Sequence, residues 1–265
     1  ALPYIASGVT INRIEVWVTN KRGNYDDARN IVALADLGEH NAQHVLNSAW
    51  SVDAGARTPY NKANSLYETL VNGHPEIRDI QQVSSVMQLL TGMELGEDYE
   101  KVESARLLNN GEYSLNSALG YISLKTALNQ DEVLAVAYEY TYAGQVYQVG
   151  EFSTDGSETL KAPNALMLKL LKSTNNAPDQ KGKGTWDLMM KNVYSLGASQ
   201  MSGDKFELYI QYRNDSVGTE MQYLMEGDIK GKQLLRVMNL DRLDSRNNNS
   251  PDGRFDYVEG YTALS

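Results

Sequence analysis

Apolar and polar positions divide this chain into short alternating runs, one helical run and several polar interruptions. In Ile14-Glu15-Val16-Trp17-Val18-Thr19, Ile14, Val16 and Val18 share one face and Glu15, Trp17 and Thr19 the other. That is the period of two expected of a pleated strand. NKRGNYDD then breaks the run, and the almost continuously apolar stretch from Ile31 to Leu37 predicts a central strand ending at Gly38. Val133 to Tyr142 and Gln145 to Phe152 are rich in β-branched and aromatic residues and flank Ala143-Gly144, which predicts a hairpin with a very short turn. Phe206, Leu208, Ile210 and Tyr212 alternate with Glu207, Tyr209 and Gln211 and predict another half-buried strand. Leu234, Leu235, Val237 and Leu240 are read as part of the same strand-like pattern and lead into a polar C-terminal loop.

One stretch has a different period. Behind Pro75, which suits a first helical turn, Ile77, Ile80, Val83, Val86, Met87 and Leu90 follow three- and four-residue steps until Gly92. A shorter helix is predicted from Asn64 to Asn72, ended by Gly73, so residues 61–92 form a helical insertion between strands. The expected class is mainly β (α+β), with antiparallel sandwich-like sheets and the insertion packed on them. DAGARTPYNKAN and KSTNNAPDQKGKG combine Pro, Gly and amides without periodicity and read as loops. The second, residues 173–184, is the expected boundary between a first half at 1–172 and a second at 185–265, unless the two form one continuous domain.

Composition narrows the function classes. The length of 265 residues allows a sizeable core, and an apolar fraction of 42% supports a globular fold. A net charge of -10 repels phosphate backbones, so nucleic acid is not an expected partner. The absence of cysteine excludes disulfides, thiolate zinc sites and cysteine nucleophiles. No apolar run approaches the roughly 20 residues of a spanning helix, and the expectation is a water-soluble domain. Tyr outnumbers Phe 17 to 3, which suits half-exposed strand faces and polar contact surfaces.

Candidate chemistry concentrates near the C-terminus. Counted from Asn248 as the first position of a calcium loop, Ser250 falls third, Asp252 fifth, Gly253 at the turn, Asp256 ninth and Glu259 twelfth. With the Arg254 carbonyl, these residues form a candidate set of oxygen ligands for calcium. Asp241 and Asp244 lie just upstream and could replace a weak ligand. An Asn/Asp/Gly-rich turn whose side chains cap their own backbone is the alternative. Catalytic motifs are sparse. His40 and His44 stand four apart, with Glu39 or His74 as a third zinc ligand, but HNAQH lacks the general-base Glu of a zincin and reads as surface or capping histidines. KGKGT at 181–185 lacks phosphate-loop spacing, no G-x-S-x-G elbow is present, and a glycosidase carboxylate pair would show only in three dimensions. The chain is expected not to be an enzyme.

The blocks RIEVWVTN, ARNIVALADLGE, YISLKTALNQDEVLAVAYEYTYAGQVYQVGEFS, LMLKLLKS, TWDLMMKNVYSLGA and NLDRLDSRNNNSPDGRFDYVEGYT, in order from about Arg13 to Thr262, resemble the N-terminal region of the SprA/Sov family. That family is the giant outer-membrane translocon of type IX secretion and gliding motility. The resemblance implies a soluble piece of a protein whose main body is a very large β-barrel exporting folded proteins. It further implies a role in gating, covering or docking at that barrel, on the cell-surface side of the outer membrane. Implied partners are the rest of the barrel, adaptor subunits of the secretion complex and secreted cargo. The residues themselves leave a second class open, an extracellular carbohydrate-binding or adhesion module with a structural calcium.

Overall fold

The computed structural model describes residues 8–23, 25–90, 92–117, 119–175, 185–190, 193, 196, 201–216, 218–258 and 262–263. The chain falls into two compact units, one spanning Ile5–Lys191 and the other built chiefly from Asn192–Ser265. The stretch 173–184, expected as a linker, precedes that division, and of it residues 176–184 lie outside the described residues.

The first unit is organised by one ladder of strands. In chain order these are β1 (Val9–Val18), β2 (Arg29–Leu34), β3 (Tyr99–Leu107), β4 (Tyr113–Asn116), β5 (Tyr121–Leu124), β6 (Leu134–Tyr142), β7 (Gln145–Val149) and β8 (Leu166–Lys172). Hydrogen bonding runs β1-β3-β2-β8-β6, and β6 pairs again with β1 over nearly the whole length of both, so the ladder closes on itself. β7 lengthens the wall beyond β8 along β6. All pairs in this ladder are antiparallel except β2 with β8. The class is mainly β, α+β, as the hydrophobic pattern requires.

Closure explains the side-chain sizes. One face of each ring strand contributes to a shared core of Trp17, Ile31, Ala33, Val102, Ala105, Ala135, Ala137, Leu166, Leu168 and Leu170, with Phe152 from beyond β7. A narrow closed wall cannot hold large residues at every position, so the alanines leave space that Trp17 and Phe152, both fully buried, occupy. The opposite face of β2 and β8 carries Val32, Leu34 and Met167 into a second core beneath the helical insertion. The opposite face of β1 and β6 carries Val16, Val18, Leu134 and Val136 into a third, beneath the antiparallel β4–β5 pair. Two backbone devices shape the wall. Ser104 of β3, at φ 52, sits in a bulge opposite β2, where its amide donates to the Asn30 side chain at 3.0 Å. Ala143 and Gly144, at φ 50 and 79, close the predicted β6–β7 hairpin in the doubly left-handed turn that matches strand twist.

The helical insertion differs in detail from its sequence pattern. A turn of α1 (Leu66–Glu68) runs into a π-helical turn (Thr69–Gly73). The helix expected from Pro75 to Leu90 is split into a 3₁₀ turn (Pro75–Arg78) and α2 (Val83–Leu89). The break has a local cause: Asp79 is extended at ψ 114, and its carboxylate accepts the Gln81 amide at 3.0 Å. The apolar stripe survives, because Ile77, Ile80, Val83, Val86 and Met87 are all buried. A short α3 (Thr185–Leu188) completes the unit.

The insertion is tied to the wall by a buried ion pair. Arg78 donates from Nη1 and Nη2 to the two oxygens of Glu151 at 2.5 and 2.6 Å. The same carboxylate accepts the Tyr67 hydroxyl at 2.6 Å and the Met167 amide at 2.8 Å. Arg78 Nη1 also donates to the Ala165 carbonyl at 2.9 Å, and the Ala165 amide donates to the Arg78 carbonyl at 2.8 Å, just ahead of β8.

In the second unit the strand expected over Phe206–Tyr212 does not form. Its burial still alternates, but only β9 (Tyr212–Arg213) enters a ladder, with β10 (Glu220–Met221). Phe206 instead packs on Phe255 and Tyr257, at ring separations of 5.6 and 5.0 Å. Leu234 to Val237, read as strand-like, form the helical turn α4, with Leu235 buried. Alternation fixes which side chains are shielded, and among the described residues no neighbouring strand extends the ladder.

Removing one member of the Arg78–Glu151 pair leaves an uncompensated buried charge. Glu151→Ala should lose about 3–5 kcal/mol of unfolding free energy in urea titration, and an Arg78→Met, Glu151→Leu double variant should recover much of that loss. Equal stability of the single variant and the parent would show that the pair does not hold the insertion.

Candidate functional site

A groove of about 480 Å³ opens on the outer face of the closed wall in the first unit. Its floor is Val136 and Tyr138 of β6 with Lys169 and Leu171 of β8. Ile11 and Ile14 of β1, and Leu115 and Ile122 of the β4–β5 pair, form one side. The segment from Leu37 to His44 forms part of the rest.

The polar groups gather where that segment meets the floor. Lys169 is 5% exposed. Its Nζ donates to Glu39 Oε1 at 2.6 Å and to the Ala35 carbonyl, so the single charge in the apolar run LMLKLL is matched. Asp36 shapes the segment by accepting the Leu46 and Asn47 amides at 2.8 and 3.0 Å. Asn64 donates to the Asp36 and Glu39 carbonyls at 2.8 and 2.9 Å. Gly38, at φ 76, lies so close to Val149 that a Cβ would come within 2.9 Å of its Cγ1, so the chain can turn into the groove only with glycine there.

Tyrosines line and border the same wall. Tyr138 and Tyr140 stack at 6.0 Å, Tyr140 and Tyr147 at 5.5 Å, and Tyr147 meets Tyr60 at 6.0 Å. The Tyr140 hydroxyl is bonded to Thr58 and donates to the Pro59 carbonyl at 2.5 Å. The half-buried Tyr138 phenol is pushed above its ordinary range by burial, then by Tyr140 and Glu39, and so remains protonated. Burial likewise raises the Asp36 carboxyl, against the two amides it accepts.

His40 and His44 both line this groove. Their suggested zinc partners do not join them: Glu39 is engaged by Lys169, and His74 faces Glu76 at 3.3 Å. Among the described residues no group of three or more His, Asp or Glu side chains is placed to hold a metal ion. Residues 181–184 of KGKGT lie outside the described residues.

The C-terminal loop uses its carboxylates on backbone amides. Asp256 accepts the amides of Arg242 at 2.7 Å and Leu243 at 3.1 Å. Asp252 accepts the Arg254 amide at 3.0 Å. Asp241, 1% exposed, accepts the Asp252 and Gly253 amides at 2.9 and 3.1 Å and faces Arg236 Nε at 3.5 Å. Asp244 accepts the Arg246 and Asn248 amides and the Asn248 side chain, and these bonds hold its carboxyl below the ordinary range. Asp252 and Asp256 thus bond to different backbone amides, and Glu259 lies outside the described residues. These bonds are of the kind made by the capped turn.

Sequence reading missed Lys169 and Tyr138 as groove residues. Lys169 carried a signal, a lone charge inside an apolar strand, but its partner stands 130 positions away. No protein-family model matches this chain, and no curated protein matches it.

Two expectations follow. With calcium at the loop, chelation would lower the melting temperature. The amide-capped geometry instead expects a chelator-insensitive melt, while Asp241→Asn lowers the melting temperature equally in calcium and in chelator. For Asp36, a raised folded-state pKa means that the folded chain binds more protons than the unfolded chain between the ordinary carboxyl value and the raised one. Its contribution to stability should therefore fall as pH rises through that window. The stability of the parent minus that of Asp36→Asn, from urea titrations, should shrink from acidic towards neutral pH, and a flat difference would contradict this.

Proposed function

We propose that this chain is a non-catalytic interaction domain of a type IX secretion outer-membrane translocon, serving protein export and gliding motility. It would gate, cover or dock at the export barrel on the cell-surface side, with the barrel, adaptor subunits and secreted cargo as partners. The parentage rests on the ordered SprA/Sov-like blocks. The observation that carries the binding role is the groove lining. Its Glu39 and Lys169 charges lie 2.6 Å apart and compensate each other, and most of the remaining lining is apolar or phenolic. Such a surface suits holding a partner.

Full-length parent protein tests this reading. A tagged copy should fractionate with the outer membrane, copurify with its barrel and adaptors, and be cleaved within this domain when protease is added to intact cells. A domain that never associates with the outer membrane would overturn it. The tyrosine row from Tyr138 to Tyr60, in which Tyr140 is buried and the other three are partly exposed, favours a second reading, carbohydrate binding, because sugar faces stack on partly exposed aromatic rings. Selective capture on a glycan array, lost in Tyr147→Ala, would move the assignment there.

A further inference from the structure

We infer that the groove on the outer face of the closed wall binds a single-chain amphiphile, an aliphatic chain ending in an oxygen acceptor such as a carboxylate or ester. This rests on the groove being a binding site and not on membership of a translocon. The lining is divided in character. Ile11, Ile14, Leu115, Ile122, Val136 and Leu171 supply apolar lining, whereas Lys169, His40, Tyr138 and Glu39 supply polar groups. A volume of about 480 Å³, mostly apolar with a few polar groups, falls within the range of small-molecule sites, roughly 300–1,000 Å³.

The polar groups are biased towards donors. The Tyr138 hydroxyl has no hydrogen-bond partner among the described residues, and it remains protonated because its surroundings are buried and lie near Glu39. His40 Nδ1 is shut off from solvent and has no hydrogen-bond partner among the described residues. A buried N–H without an acceptor is the rarer and costlier arrangement, which favours the tautomer with its proton on Nε2. Lys169 adds an ammonium whose charge Glu39 balances. A balanced pair beside the Tyr138 hydroxyl asks for an acceptor atom in the ligand, and the apolar lining asks for an aliphatic chain.

The test uses the 265-residue chain with fatty acids and methyl esters of eight to fourteen carbons, below their aggregation concentrations, by calorimetry and native mass spectrometry. The expected result is one ligand per chain, with affinity rising about fourfold per added methylene until the apolar lining is covered. Tyr138→Phe keeps the ring and should weaken binding about three- to tenfold. Ile122→Gln should weaken the longer chains most, with an unchanged circular dichroism spectrum. Binding of acids, esters or both supports the inference, and their order of affinity identifies the head. Failure of both series to bind, binding without dependence on chain length, or equal affinity in Tyr138→Phe and Ile122→Gln would overturn it. None of those outcomes bears on whether the parent protein sits at an export barrel.

Discussion

A ladder of strands that returns to its first member leaves its strands no exposed main edge, but it creates an inside too narrow for large side chains at every position. The rest of the first unit follows from that constraint. Alanines at positions 33, 105, 135 and 137 relieve the crowding, and Trp17 and Phe152 fill what remains. Trp17 brings one polar atom inside, and its Nε1 donates to the buried Glu15 at 3.2 Å, which also accepts the Ser153 amide and hydroxyl at 3.0 Å each. The wall is therefore anchored at one end by polar groups that are satisfied within it.

Closure also turns an apolar surface outwards. β1, β2, β6 and β8 are buried on both faces over much of their length, so the outer face needs covers. The helical insertion covers β2 and β8, and the β4–β5 pair covers β1 and β6. Buried ions hold these pieces in place. Glu151 joins Arg78 and Tyr67 of the insertion to the Met167 backbone, and Lys169 joins β8 to Glu39. Hydrophobic contact alone is non-directional, whereas a bidentate guanidinium–carboxylate pair fixes one placement.

The groove lies where the segment from Leu37 to His44 and the β4–β5 pair leave part of the outer face open. It is thus a consequence of how the wall is covered, and its chemistry is inherited from it. The floor is apolar because the outward positions of β6 and β8 are core-like elsewhere along the same strands, and it becomes polar where Lys169 meets Glu39. Tyr138 and Tyr140 occupy alternate positions on β6, so the groove and the tyrosine row share one strand face.

Much of this was legible along the chain. The period of two located β1, the β-branched and aromatic residues around Ala143-Gly144 located the β6–β7 hairpin, and the three- and four-residue steps named Ile77, Ile80, Val83 and Met87 as the buried stripe of the insertion. Those features are local, set by side-chain direction and backbone sterics within a few residues. Ring closure, the parallel pairing of β2 with β8 and the Glu39–Lys169 contact join positions more than 100 residues apart, and no periodicity encodes such partners. The C-terminal loop shows the same limit from the other side. Its spacing suits calcium, but spacing cannot state whether a carboxylate faces a cation or a backbone amide. In the folded chain Asp241, Asp252 and Asp256 each accept backbone amides, contacts that depend on which parts of the loop meet.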